Sequence, residues 1–331
     1  MRPALKSGLL PVWRDRDTLQ IGIDSRRAVA LTGMAGIAWM IGLLDGSRDR
    51  AQVIRAAVDR GLPAEAAERV LALLATAGAL DDFPAGTLRV LSPPLRARLA
   101  GELATVSLAH GDGDGGARTL ARRLAAQIRI PGGGRVGGGL AGLLRASGIG
   151  CVAYSDPGQA PPGSKQPAQA ASAQAPPSGQ ARPDLAVLVG RQPLELRARH
   201  MRDQRPHLAA SADEAIGIVG PLVIPGRTAC LRCMDLTRTD RDPAWPLILA
   251  QLAGRAPDPL ACDAPLAAAV AAQAAAQGLA FIDRAVVADA VTNGTLELVL
   301  PGWQWRRRTW MPHQACSCSR PGHTGPGPGT R

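Results

Sequence analysis

Apolar and polar positions alternate through Leu19-Gln-Ile-Gly-Ile23, which predicts a half-buried strand, and Ala28-Val-Ala-Leu31 predicts a second. The period then lengthens. Ala35 to Leu44 reads as a helix that ends at the Asp45-Gly46 turn. Ser47 is placed to cap a helix through Ala57, with Val53, Ile54, Ala57 and Val58 on one face. Pro63 is suited to open another helix through Ala77, apolar at Ala67, Val70, Leu71 and Leu74. Short strands followed by three helices predict a small winged-helix (α+β) module over residues 1–90.

Residues 91–125 read as a connection: a helix from Leu95 to Leu108, then the glycine-rich loop Gly111 to Gly116. A different pattern begins near 126. Gln127-Ile-Arg-Ile130 predicts a short strand, Leu140 to Ser147 a helix, and Cys151-Val-Ala-Tyr-Ser-Asp156 a second strand ending in an acid. Asp184 to Val189 is an unbroken apolar run, as in a strand covered on both faces. Further strands are predicted at Pro206–Ser211 and Gly294–Leu300, a strand pair over Ile216–Ile224, and another strand over Trp303–Trp310. Glu195–Gln204 reads as a polar helix and Ala264–Arg284 as a long alanine-rich one. Strand and helix alternating in this way predict an α/β, Rossmann-like domain over 126–320. Residues 157–183 are almost all Pro, Ala, Gln, Ser and Gly and predict a disordered insertion. Residues 321–331 predict a disordered tail.

Composition sharpens this picture in three ways. Six tryptophans, two phenylalanines and one tyrosine leave Ala, Leu and Val to build the cores. Lys+Arg 38 against Asp+Glu 27 gives a net charge of +11, and only Lys6 and Lys165 are lysines. Arginine in such excess favours carboxylate or phosphate partners, although genomic base composition produces the same skew. The uncharged stretches Ala28–Leu44 and Pro265–Ile282 are glycine-broken or mostly alanine, and no signal-peptide pattern opens the chain. A cytoplasmic protein without a membrane span is expected.

Two constellations carry chemistry. Gly132, Gly134 and Gly137 fit the G-x-G-x-x-G spacing after a strand, and Asp156 follows Gly137 by 19 residues, about where a ribose-binding acid sits. This predicts a nucleotide-type loop at a helix start, or else a glycine-rich turn that binds nothing. Cys230-Leu-Arg-Cys233 and Cys316-Ser-Cys318 are two tight pairs 83 residues apart. Four thiolates suit a closed structural zinc site that staples the C-terminus to its domain. Arg232 and Arg320 would offset its charge, and His313 is the alternative ligand. A redox reading of Cys230/Cys233 is disfavoured because no helix start of the thioredoxin kind follows them. Cys151 and Cys262 read as buried packing residues, and no nucleophilic triad is visible.

These motifs together resemble the ThiF family, the ubiquitin-activating-enzyme-like adenylyltransferases. The likeness covers about residues 120–320. It lies in Gly132-Gly-Gly-Arg-Val-Gly137, in Gly220-Pro-Leu-Val-Ile-Pro-Gly-Arg-Thr-Ala-Cys-Leu-Arg-Cys233, and in Trp310-Met-Pro-His-Gln-Ala-Cys-Ser-Cys318. The resemblance implies structural Zn²⁺ on the four cysteines and ATP with Mg²⁺ at the glycine loop. Ala35–Asp82, with Leu43-Leu-Asp-Gly-Ser-Arg-Asp and Gly78-Ala-Leu, resembles the leader-peptide-binding domain of peptide-modification systems. The fusion is similar to partner proteins of azoline-forming cyclodehydratases, which present an acidic precursor leader to an ATP-dependent partner enzyme.

Departures from the family pattern bear on its activity. The family's Asn-Leu-x-Arg-Gln stretch and phosphate-contacting lysine have no counterpart, since the insertion stands in their place. Where the family carries an aspartate for Mg²⁺, Val189 is followed by Gly190-Arg191. Without such groups, charge on transferring phosphate is not stabilised. The expectation is a degenerate, leader-binding homodimer, with Arg26, Arg27, Val29 and Leu31 as peptide contacts. The alternative is an active adenylyltransferase working on a peptide or sulfur-carrier C-terminus. Nucleic-acid binding through Arg306-Arg-Arg308 is disfavoured, because the candidate helices Ser47–Ala57 and Pro63–Ala77 are amphipathic rather than basic.

Overall fold

The computed structural model describes residues 1–83, 91–155, 182–252, 261–284 and 290–319. The chain divides into two units, Met1–Arg122 and Arg123–Arg331.

In the first unit, β1 (Pro3–Leu5) pairs antiparallel with β5 (Leu80–Asp82). A separate meander orders β2 (Pro11–Trp13), β3 (Leu19–Ile21) and β4 (Val29–Leu31). One face of the meander buries Leu19, Ile21 and Leu31 against a single core. That core also holds the 3-10 helix Ala38–Leu43, α1 (Arg50–Val58) and α2 (Ala64–Thr76). The cap of α1 is Asp49, not the expected Ser47. Asp49 and Gln52 form a reciprocal capping box, while Ser47 bonds Asp45. The helix expected over Leu95–Leu108 is two helices, α3 (Pro93–Arg98) and α4 (Ala100–His110), parted at Leu99. Buried Lys6 donates to the Ser107 carbonyl at 2.7 Å and lies 3.6 Å from the Asp81 carboxylate. An amphipathic helix that pattern reading overlooked, α5 (Ala117–Ala125), follows.

The second unit is built on a seven-stranded sheet. Its strands are β6 (Gln127–Pro131), β7 (Cys151–Ser155), β8 (Leu185–Val189), β9 (His207–Asp213), β10 (Ile216–Val223), β11 (Gly294–Val299) and β12 (Trp305–Thr309). Their spatial order is β12-β11-β10-β9-β8-β6-β7. The strands from β7 to β9 run parallel and those from β9 to β12 antiparallel. This mixed α/β sheet with a parallel half fits a Rossmann-like fold. Ile216–Ile224 is a single strand, not a pair. It carries an irregularity between Val219 and Leu222, and its hairpin partner is β9.

Helices complete the layer: α6 (Gly134–Ala146), α7 (Leu194–Arg202), α8 (Leu231–Arg241), α9 (Trp245–Leu252) and α10 (Ala264–Asp283). The last of these is long and apolar enough to cross a membrane by composition. Here its apolar residues Leu266, Val270, Ala274 and Ile282 belong to the core over the sheet. Small residues permit the close packing: a Cβ on Gly139 would lie 3.3 Å from the Ala271 side chain. Asp283, at the end of α10, is buried and grips Arg123 through two contacts of 2.9 and 2.7 Å.

Candidate functional site

The four paired cysteines converge. Their sulfurs all lie within 4.8 Å of one another, with Cys230, Cys233 and Cys316 buried and Cys318 partly so. The Sγ···Sγ distances are 3.7 Å for Cys230–Cys233, 3.6 Å for Cys230–Cys316 and 3.3 Å for Cys233–Cys318. A tetrahedron of thiolates around zinc, with bonds of about 2.3 Å, has edges of about 3.8 Å. The donor set and its size therefore fit a metal such as zinc. Four protein ligands leave no open position, so the metal would be structural. Without a cation the cluster cannot ionise fully. Hydrogen bonding to Cys233 and burial push the Cys230 thiol up, and the same bond holds Cys233 down as thiolate.

Local structure explains the convergence. Cys230 sits at the N-cap of α8, so both of its pair lie at a helix start. The expectation that no helix start of the thioredoxin kind follows these cysteines is thus corrected. What disfavours a redox pair is the company of Cys316 and Cys318. Trp310 fixes the arm that carries those two. It is buried, donates to Thr295 Oγ1 at 3.0 Å, and is stacked by Arg238 at 5.2 Å and Arg308 at 4.3 Å. Arg238 also covers Trp245 at 4.9 Å. His313 is not among the converging ligands. Its Nε2 meets Asp240 at 2.8 Å and its Nδ1 accepts from Ala315 N–H. Cys151 is exposed and Cys262 half-exposed, against the expectation that both are buried; β7 is an end strand whose Cys151 faces outward. Arg320 lies outside the described residues.

The glycine loop follows β6 directly. The chain leaves β6 for β7 on one side and returns at β8 on the other, so the loop sits at a topological switch point. Helix α6 begins at Gly134, six residues before the start predicted at Leu140. Each glycine has a steric reason. A Cβ on Gly132 (φ +109°) would lie 2.3 Å from the Val189 carbonyl oxygen. Gly134 is left-handed at φ +75°. A Cβ on Gly137 would meet the Gly132 oxygen at 2.8 Å and the Tyr154 ring at 2.9 Å. The Gln192 amide donates to the Val189 oxygen at 2.5 Å and the Pro131 oxygen at 3.3 Å, tying the neighbouring loop to this one.

The segment between β8 and α7 supplies no carboxylate for Mg²⁺. Beyond Val189 stands Arg191, a guanidinium where the resemblance calls for a carboxylate. It pairs with Asp213 at 2.6 Å and reaches Glu214 at 3.9 Å. The acid at the end of the next strand is thereby engaged by a cation already. Asp156 and Lys165 lie outside the described residues.

The expected peptide contacts are placed at the β4 end of the meander. Arg26 clasps Asp24 at 2.7 Å and holds that carboxyl down at about 2. Arg27 donates to the Leu108 carbonyl at 2.5 Å. Val29 is half-buried, and Leu31 is 2% exposed. Leu31 can therefore offer a partner no side chain, because that side chain belongs to the core. Of the three arginines at 306–308, Arg307 bonds the Ala290 and Thr292 carbonyls, and Arg308 stacks on Trp310.

No family model and no curated protein matches the chain. Solved structures match it in fold. A heterocyclase in complex with substrate and cofactor aligns with a TM-score of 0.63 at 15% identity, over 96% of this chain and 39% of its own. The heterocyclase TruD aligns at 0.62 and 17% identity, over 96% and 42%. E. coli MccB, solved with AMPCPP and MccA, aligns at 0.62 and 14% identity, over 97% and 100%. The chain spans about two fifths of the two heterocyclase chains and the whole of MccB. At these identities the likeness is one of fold, and the fold is that of heterocyclases and MccB.

Proposed function

We propose that this chain is a degenerate, zinc-stapled ThiF-like protein that serves a peptide-modifying system. Its winged-helix first unit binds the acidic leader of a precursor peptide, and an ATP-dependent azoline-forming partner enzyme performs the chemistry. It acts as a cytoplasmic homodimer. The observation that carries this reading is the Arg191–Asp213 pair. A carboxylate engaged by a guanidinium is less available to hold Mg²⁺ beside a nucleotide. The heterocyclase neighbours support it as well, since they are longer chains of which this one matches a part.

The second reading, an active adenylyltransferase, draws on the full-length match to MccB, a structure that holds AMPCPP. ATP–pyrophosphate exchange decides between them. The isolated protein, supplied with Mg²⁺ and candidate peptides, is expected to give no exchange above background. Robust exchange would overturn the degenerate reading.

A further inference from the structure

Access and distance divide the four clustered sulfurs unevenly. Cys230, Cys233 and Cys316 are 2%, 0% and 1% exposed, whereas Cys318 is only partly buried. A reagent in solvent therefore meets Cys318 first. Its sulfur stands 3.3 Å from that of Cys233, a nearer approach than the 3.7 Å between Cys230 and Cys233. Cys230 in turn lies 3.6 Å from Cys316. Both of the shorter contacts run from the start of α8 to the C-terminal arm, and neither lies within one of the tight sequence pairs.

We infer that the cluster is a peroxide-sensitive staple, in which oxidation exchanges the metal link between α8 and the arm for a Cys233–Cys318 disulfide. The Cys318 sulfur attacks one oxygen of hydrogen peroxide, the O–O bond breaks, and the other oxygen leaves as water. Cys318 is then a sulfenic acid. The Cys233 sulfur attacks it, the S–O bond breaks, the S–S bond forms, and the hydroxyl leaves as a second water. In all, the two sulfurs lose two electrons and one peroxide gains them. The protons come from the thiols or, where these are thiolates, from solvent.

The two sulfurs in the disulfide no longer donate to a metal, and Cys230 with Cys316 cannot close a tetrahedral site alone. The arm stays attached nonetheless, because the disulfide spans the same 85 positions and restricts the unfolded chain likewise. Trp310, buried and stacked by Arg238 and Arg308, holds the arm in place while the sulfurs change partners. The inference rests on the zinc-stapled reading above. It differs from a dithiol redox pair, in which Cys230 and Cys233 would oxidise together.

The test uses the full chain with Cys151→Ser and Cys262→Ser, which remove the other two accessible thiols. Metal content is measured first, and graded hydrogen peroxide is then added. Zinc release is followed with a colorimetric chelator, and disulfides are mapped by mass spectrometry of a tryptic digest without reductant. Cleavage at Arg232 separates Cys230 from Cys233, and fragmentation of the joined peptides separates Cys316 from Cys318. The expected first product is Cys233–Cys318, formed as zinc is lost. Cys318→His keeps a donor atom for the metal but removes the accessible sulfur, and is expected to release zinc about tenfold more slowly or less. With chelator present, the oxidised chain should unfold at a higher urea midpoint than the reduced one. Cys230–Cys233 as the first disulfide, or equally fast release from Cys318→His, would overturn the inference, and equal midpoints would overturn the staple. If Cys318→His does not fold, the map of the parent chain decides alone. A chain purified without zinc would refute the metal reading, and its disulfide map would still decide the oxidation, so the two failures are distinguishable.

Discussion

Replacing Cys316 with serine should release the metal and loosen the second unit, and the geometry sets the size of the effect. Cys233 and Cys318 stand 85 positions apart in sequence, with sulfurs 3.3 Å apart in the fold. A cross-link closing a loop of that length lowers the entropy of the unfolded chain. By the loop-closure relation this is about 15 cal/mol/K, or about 4–5 kcal/mol at room temperature. Such a figure is a large part of the stability of an ordinary domain. Serine at 316 leaves three thiolates and removes the contact made to Cys230 at 3.6 Å. The expected outcome is about one zinc per wild-type chain by elemental analysis, and well below that in Cys316→Ser. A strong chelator should lower the urea midpoint of the wild type and leave the variant almost unmoved. A wild-type preparation that holds no metal, yet unfolds at the same midpoint with and without added zinc, would refute the reasoning.

Two further perturbations test the packing that frames this site. Asp283→Ala removes the carboxylate that faces the buried Arg123 guanidinium, and such a break costs about 3–5 kcal/mol; a urea midpoint equal to the wild type would show that the pair is dispensable. His200 and His207 are buried with ring centroids 5.4 Å apart, and Nδ1 of one and Nε2 of the other lack hydrogen-bond partners. Burial, joined for His200 by the neighbouring His207 and Arg205 charges, depresses both to about 4. The folded state thus favours the neutral rings. The stability this gives is complete above the unfolded value near 6.5 and is lost as pH falls from there towards 4. At pH 5 the loss is about 2 kcal/mol per histidine. Urea unfolding at pH 5 and 7.5, compared with a His200→Phe, His207→Phe protein, should show a smaller drop in the variant; equal drops would rule the histidines out.

How much of the protein was legible in its sequence follows from which interactions are local. Alternation through Leu19–Ile23 and the unbroken run Asp184–Val189 announced strands, because burial on one face or two is written in residue order. The cysteine pairs announced a four-thiol cluster of a size that fits a metal by composition and spacing alone. Local capping was harder: Ser47 and Asp49 are both good caps, and the reciprocal bond with Gln52 chose between them. Helix α8 was overlooked because its polar run Arg232–Arg241 shows no apolar stripe, although Cys230 starts it.

Distance in sequence marks where reading order stops. The chain alone determined that the thiols come in two tight pairs suited to a cation and that a glycine loop would follow β6, since both depend on residue type and short spacing. Only the tertiary structure decided that Gly132 is required by the Val189 carbonyl, a neighbour brought in by sheet pairing. It also decided that Arg191 meets Asp213 across adjacent strands and that Leu31 is taken up by the core. Trp13, with no partner in the sequence pattern, gained a cleft from the 3-10 helix that packs opposite β2. Each of these is a contact between segments whose meeting depends on the packing of the whole core, and no local pattern encodes it.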